Sequence, residues 1–160
     1  MSQPPAPVNF YKASGYCAQE SVGYLMKRVM LSIVYQADRR LASVDLTSAQ
    51  WGPLLRMREF GPSTVAELAR WANTDAGAMT RLLDRLEKKG LCQRERSQSD
   101  RRVVLVSLTP EGEAAVANVP AVLAEVMNLH LQGFSEAEWQ TLKEFLNRMV
   151  VTGDQLREEA

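Results

Sequence analysis

The segment Asp75 to Gly90, with the run Leu91 to Thr109 directly after it, constrains this chain more than any other part of its sequence. Met79, Leu82, Leu83 and Leu86 recur at the spacing of one buried helix face, which turns Ala76, Gly77, Thr80, Arg81, Asp84 and Arg85 outward. An outward face of small and basic residues suits a DNA groove. Gly90 stands where a helix end favours a left-handed residue, and Lys88 and Lys89 complement the negative end of the helix dipole. The helix is predicted to stop there. The runs Leu91–Arg96 and Val103–Leu108 are short and rich in strand formers, and the polar stretch Ser97–Arg102 separates them. They predict a β-hairpin with a charged tip. Such a tip can reach phosphates or a narrow minor groove while the helix before it reads bases.

The rest of the chain predicts helices. From Val22 to Leu41 the apolar positions Val22, Leu25, Met26, Val29, Met30, Ile33, Val34, Ala37 and Leu41 keep helical period. Thr47-x-x-Gln50 and Thr64-x-x-Glu67 are capping-box patterns that open two further helices. The second of these carries Val65, Leu68, Ala69 and Trp71, and Asn73-Thr74-Asp75 then supplies a turn and a new N-cap. Two helices joined so tightly predict a helix-turn-helix. Thr109-Pro110 opens a long helix that is expected to kink near Pro120, and Ser135-x-x-Glu138 opens a last one with Trp139, Leu142, Phe145, Leu146, Met149 and Val150 on one face.

The expected fold is therefore mainly α with a small β-hairpin wing, an α+β winged helix-turn-helix. Residues 1–20 read as a loose tail, 21–46 and 110–160 as a helical dimerisation region, and 47–109 as the DNA-binding region of a single compact module. The terminal helices hold more apolar surface than a small winged module needs, which predicts a two-fold dimer.

At 160 residues, with 46% hydrophobic and 24% charged residues, the chain has an ordinary globular composition. No apolar run approaches a membrane span, and the first residues lack a secretion signal, so the expectation is a cytoplasmic protein. The formal net charge is zero, but residues 63–109 carry nine Lys/Arg against six Asp/Glu, whereas residues 110–160 carry three against nine. A basic middle beside an acidic C-terminal third can face DNA while the molecule stays near neutral.

Leu46–Trp51, Thr64–Ala69, Met79–Leu91, and Asp100-x-Arg102 followed by Val106–Gly112 occur in an order and spacing that resemble the multiple-antibiotic-resistance regulator (MarR) family of bacterial winged-helix repressors. The resemblance covers roughly Val22 to Val150. It implies a homodimer on a near-palindromic operator, with the two recognition helices in adjacent major grooves and Arg102 in the flanking minor groove. Asp100 matches the aspartate that braces the wing in this family. In many relatives a small aromatic acid or phenol binds between the DNA-binding and dimerisation parts and weakens DNA binding.

The expected DNA-binding residues are Ala76, Gly77, Thr80, Arg81 and Arg85 on the helix and Asp100, Arg101 and Arg102 on the wing. Arg81, Asp84 and Arg85 also fit a local charge pattern on a solvated face, and Asp100 with Arg102 fits an incidental surface ion pair. Tyr24, Arg28, Leu31 and Tyr35 form a second stripe on the first helix. Two rings bracketing a guanidinium suit an aromatic carboxylate; the same stripe suits a dimer contact, and both readings stay open. Trp51, Met57 and Arg58 are candidates for the pocket wall, with core packing the default for Trp51. Cys17 raises an oxidant-sensing alternative. It lies 33 residues before Gln50 (50 − 17), about two helical turns ahead of the cysteine in the peroxide-sensing branch of the family. One histidine, His130, with two scattered cysteines gives no metal-ligand spacing, and no phosphate loop or nucleophile–base set predicts an enzyme or a cofactor. A helix-turn-helix that binds only protein is the alternative of another class, and salt dependence separates it from DNA binding.

Overall fold

The computed structural model describes residues 8–42 and 46–158. Its helices are α1 (Val22–Arg40), α2 (Ser48–Phe60), α3 (Val65–Trp71), α4 (Ala76–Lys88), α5 (Pro110–Val116), α6 (Val119–His130) and α7 (Glu136–Glu158), and its strands are β1 (Cys92–Arg96) and β2 (Val104–Leu108). The chain is the mainly helical winged fold that the sequence predicts.

Helix starts follow side-chain chemistry. The Thr64 N–H donates to Glu67 Oε2 at 2.7 Å and the Glu67 N–H to Thr64 Oγ1 at 3.2 Å; Ser135 and Glu138 repeat the exchange at 2.8 and 3.3 Å. Strands β1 and β2 pair antiparallel from Cys92 opposite Leu108 to Arg96 opposite Val104. Buried Ser63 extends the sheet by one bridge, exchanging backbone hydrogen bonds of 3.0 and 2.8 Å with Val106.

The core gathers Leu54 and Met57 of α2, Leu68 of α3, Met79, Leu82, Leu83 and Leu86 of α4, Val106, and Val116, Val119, Val122 and Val126 of α5 and α6. Helix α1 enters it only through its C-terminal half, at Ile33 and Ala37, followed by Leu41 at its C-cap. Val22, Leu25, Met26, Val29 and Met30, on the same predicted stripe, lie exposed. No described residue of α7 is buried, and Leu142, Phe145, Met149 and Val150 face out. Bare apolar helix faces of this kind mark an interaction surface.

Two expectations need correction. The long helix from Thr109 does not run on through a kink near Pro120 but breaks there; it divides into α5 and α6 at Ala117–Asn118, two residues before Pro120, which lies in the first turn of α6. Proline is tolerated in that place because its missing N–H breaks no hydrogen bond within α6 itself. Within the expected tail, residues 1–7 lie outside the described residues, and residues 8–20 are not wholly loose. The Tyr11 hydroxyl accepts the Val22 N–H at 2.9 Å, and the Tyr11 and Tyr16 rings meet edge to face at 5.8 Å.

Candidate nucleic-acid interface

The turn between α3 and α4 is built from main-chain hydrogen bonds that α3 cannot make internally. Asn73 adopts φ 48°, so the Thr74 N–H reaches back to Ala69 O at 3.0 Å and its own N–H to Arg70 O at 3.1 Å. Asp75 then caps α4, its Oδ1 accepting the Ala78 N–H at 2.8 Å. At the other end Gly90, with φ 72°, lets the Leu91 N–H reach Leu86 O at 3.0 Å and stops the helix where the sequence predicts.

Between these ends α4 presents Ala76, Gly77, Thr80, Arg81 and Arg85 exposed on the face opposite the buried Met79, Leu82, Leu83 and Leu86. The Thr80 hydroxyl donates to Ala76 O at 2.7 Å. The two acidic residues of the helix are taken up from behind. Arg94 of β1 places Nη2 2.8 Å from Asp84 Oδ1 and Nη1 on Glu87, and its N–H donates to Glu87 Oε1 at 3.2 Å. Asp84 is thereby committed to Arg94, and among the described residues neither Arg81 nor Arg85 is held in an ion pair. The local charge pattern that competed with a DNA-facing surface is not formed.

The hairpin tip is braced by Asp100, whose Oδ1 accepts the Arg102 N–H at 2.9 Å while its carbonyl accepts the Val103 N–H at 2.9 Å. The Arg102 guanidinium itself is 94% exposed and lies 3.8 Å from Asp100, a spacing that holds little energy at such exposure. Arg101 is exposed beside it and, with Arg96, Ser97 and Gln98, lines a basic notch of about 420 Å³.

Helix and wing are locked together at one close approach. The Thr109 hydroxyl donates to Gly90 O at 2.6 Å, the Thr109 N–H reaches Leu91 O at 3.3 Å, and Thr109 Oγ1 caps α5 through the Gly112 N–H at 3.0 Å. A methyl group at Gly112 would overlap the Leu91 carbonyl oxygen and stand 2.9 Å from its carbon. Sequence reasoning missed both Arg94 and this role of Gly112. Arg94 had a signal: strand alternation places it on the face of Cys92, which is buried against α4.

The six ligand candidates are not drawn into one enclosed site. Tyr24 and Tyr35 are exposed on α1, as is Arg28, and the Arg39 guanidinium lies over the Tyr35 ring at 5.9 Å. Trp51 Nε1 donates to Asp38 Oδ1 at 3.3 Å and ties α2 to α1. Met57 is a core residue rather than a pocket wall, 3% exposed. Arg58 donates to Val116 O and Ala117 O, at 3.2 Å each. Of the cysteines, Cys17 is exposed, and burial pushes the Cys92 thiol up to about 11, with Glu87 adding to the effect. Among the described residues no His/Cys/Asp/Glu group could hold a metal ion, and no helix is long and apolar enough to cross a membrane.

The family model for MarR matches residues 46–104, from the entry to α2 through the wing tip. The chain belongs to the MarR family. It is 43% identical over 74 residues to the multiple antibiotic resistance protein MarR of Salmonella typhimurium, an alignment covering 46% of this chain and 51% of that protein. The chain thus spans about half the length of the curated relatives it matches. Over longer stretches it resembles a mutant MarR from E. coli complexed with operator DNA (TM-score 0.72, 29% identity, 80% of this chain and 92% of that one). It also resembles BpsR of Bordetella bronchiseptica, whose DNA binding is regulated by 6-hydroxynicotinic acid (TM-score 0.73, 26% identity, 84% and 96%). MarR-family proteins are transcription regulators and not enzymes.

Proposed function

We propose that two copies of this MarR-family chain associate through α1, α6 and α7, and that the dimer is a ligand-responsive repressor binding a near-palindromic DNA operator. The observation that carries this reading is the electrostatics of α4. Arg94 takes both carboxylates of the helix from behind, so Arg81 and Arg85 remain unopposed on its exposed face, and the wing adds the exposed Arg102. In this reading Ala76, Gly77 and Thr80 let α4 approach base edges, Arg81 and Arg85 meet guanine or phosphate, and Asp100 holds the tip while Arg101 and Arg102 enter the flanking minor groove. The bare faces of α1 and α7 supply the dimer contact, and two recognition helices one DNA turn apart explain a two-fold operator.

The effector is a small aromatic acid or phenol. Tyr24, Arg28 and Tyr35, exposed on α1, with Trp51 of α2, supply the rings and the guanidinium group that such a ligand needs. The regulation of BpsR by an aromatic acid supports this class.

The test is anisotropy of labelled DNA from the regulator's own upstream region, titrated with protein at two salt concentrations, with and without aromatic acids. Binding that weakens steeply with salt, and that one such compound releases, is expected. Arg81→Ala and Arg85→Ala should each lower the salt slope by about one. Arg28→Ala should abolish release while sparing DNA binding. Salt-independent binding, or none, refutes the DNA reading; a full ligand response in Arg28→Ala moves the pocket elsewhere.

A further inference from the structure

We propose that Arg58 and Pro120 together form the clamp of a joint between the winged region and the dimerisation arm, and that Arg58 is a positioning residue for the recognition helices. The consequence for DNA rests on the dimeric reading above; the joint itself does not. Proline has no N–H, so Pro120 leaves the Val116 carbonyl, four residues earlier, without its helical donor and crowds it with the ring. The helix lapses at that point, although Ala117 (φ −55°, ψ −39°) and Asn118 (φ −90°, ψ −7°) remain close to helical. The lapse lies at a boundary of packing: α5 rests on α2 and β2, whereas α6 rests on α1.

Arg58, from the last turn of α2, reaches into this gap. Its Nη1 donates to Val116 O and to Ala117 O, both at 3.2 Å, while its Nε stands 3.4 Å from Glu113 Oε2. The guanidinium replaces the donor that residue 120 lacks, and its planar, forked geometry holds two carbonyls and a carboxylate in one orientation. A helix interruption bends where its hydrogen-bond ladder fails. Here the carbonyls at the break are held by a side chain of the winged region, so the direction in which the arm leaves that region depends on Arg58.

The test uses the full chain carrying Cys17→Ser, with spin labels at Ala66→Cys on α3 and Ala121→Cys on α6, both exposed positions. Diluting it with unlabelled chain leaves only intrachain distances to be read. A single narrow distance distribution is expected; Arg58→Met should at least double its width. Adding Pro120→Ala should restore the narrow distribution, because an N–H at residue 120 again fills Val116 O. On DNA with two half-sites, Arg58→Met should reduce at least fivefold the preference for the native spacing over one lengthened by a base pair. An unchanged width, or no narrowing by Pro120→Ala, overturns the clamp. A broadened distribution with unchanged spacing preference overturns the positioning role. Failure of the unsubstituted protein to bind DNA refutes the proposed function and leaves the intrachain distances to decide the joint.

Discussion

Replacing Gly112 with alanine sets two physical effects against each other. Gly112 lies in the first turn of α5, and helix propensity alone makes alanine better there by about 1 kcal/mol. Its surroundings reverse the sign. The new methyl would overlap Leu91 O, stand 2.9 Å from the Leu91 carbonyl carbon and 3.3 Å from Leu108 Cδ2. Carbon pairs are at rest near 3.5–4.0 Å and the overlap with Leu91 O is deeper than that with its carbon, so α5 and the β1 entry must part by roughly 1 Å. The obstacle is backbone and cannot swing aside, which places the overpacking penalty at about 3 kcal/mol. The same separation strains the Thr109 hydrogen bonds to Gly90 O and Leu91 O, each contributing about 1 kcal/mol. Subtracting the propensity gain leaves a net loss of about 3–4 kcal/mol. Urea denaturation followed by circular dichroism at fixed protein concentration reads it directly. With a slope near 2 kcal/mol/M the midpoint should fall by about 1.5–2 M. A midpoint unchanged or raised would show that α5 moves freely over the end of α4 and would refute the close-approach reasoning.

Other predictions test the interface. Arg102→Ala should weaken operator binding tenfold or more, about 1.4 kcal/mol, with the dimer intact by sedimentation; unchanged affinity removes the wing from the interface. Arg94→Met should weaken DNA binding by about fivefold although Arg94 faces away from the groove, because Asp84 and Glu87 then stand unopposed, and adding Asp84→Asn and Glu87→Gln should restore it. No restoration would separate Arg94 from the charge of the reading face. For the thiols, titration with a disulfide reagent at pH 8 should find Cys17 alone in the folded chain and both cysteines in urea. Because burial raises the Cys92 pKa from 9.0 to about 11, its contribution to stability is whole below about pH 9 and is lost as pH rises through about 11. Equal reactivity of the two thiols in the folded state would contradict that burial.

Much of the candidate interface was legible in the chain, because the signals that place it are local. The period of Met79, Leu82, Leu83 and Leu86 depends only on helix geometry, and the Asp75 cap and the Gly90 stop act within one turn of the residues they govern. The hairpin was legible for the same reason, its two β-rich runs being joined by a short polar turn. Less legible was the state of each charge. Arg94 and Asp84 lie ten residues apart in sequence, and only the packing of β1 on α4 makes them partners. The ligand candidates suffered most. Met57 and Arg58 are adjacent, yet one is sealed in the core and the other spans to the end of α5.

The sequence by itself determined the order of the helices, their caps and stops, the exposed face of α4 and the charged tip of the wing, since each follows from neighbours within a few residues. Tertiary structure alone decided which arginines remain unpaired, why residue 112 must lack a side chain, and where the helix after Thr109 divides. It also decided that α1 gives half its apolar stripe to the core and leaves half bare. Those outcomes depend on distances between segments far apart along the chain, and hydrophobic periodicity is blind to them, because it specifies that a face is buried without specifying against what.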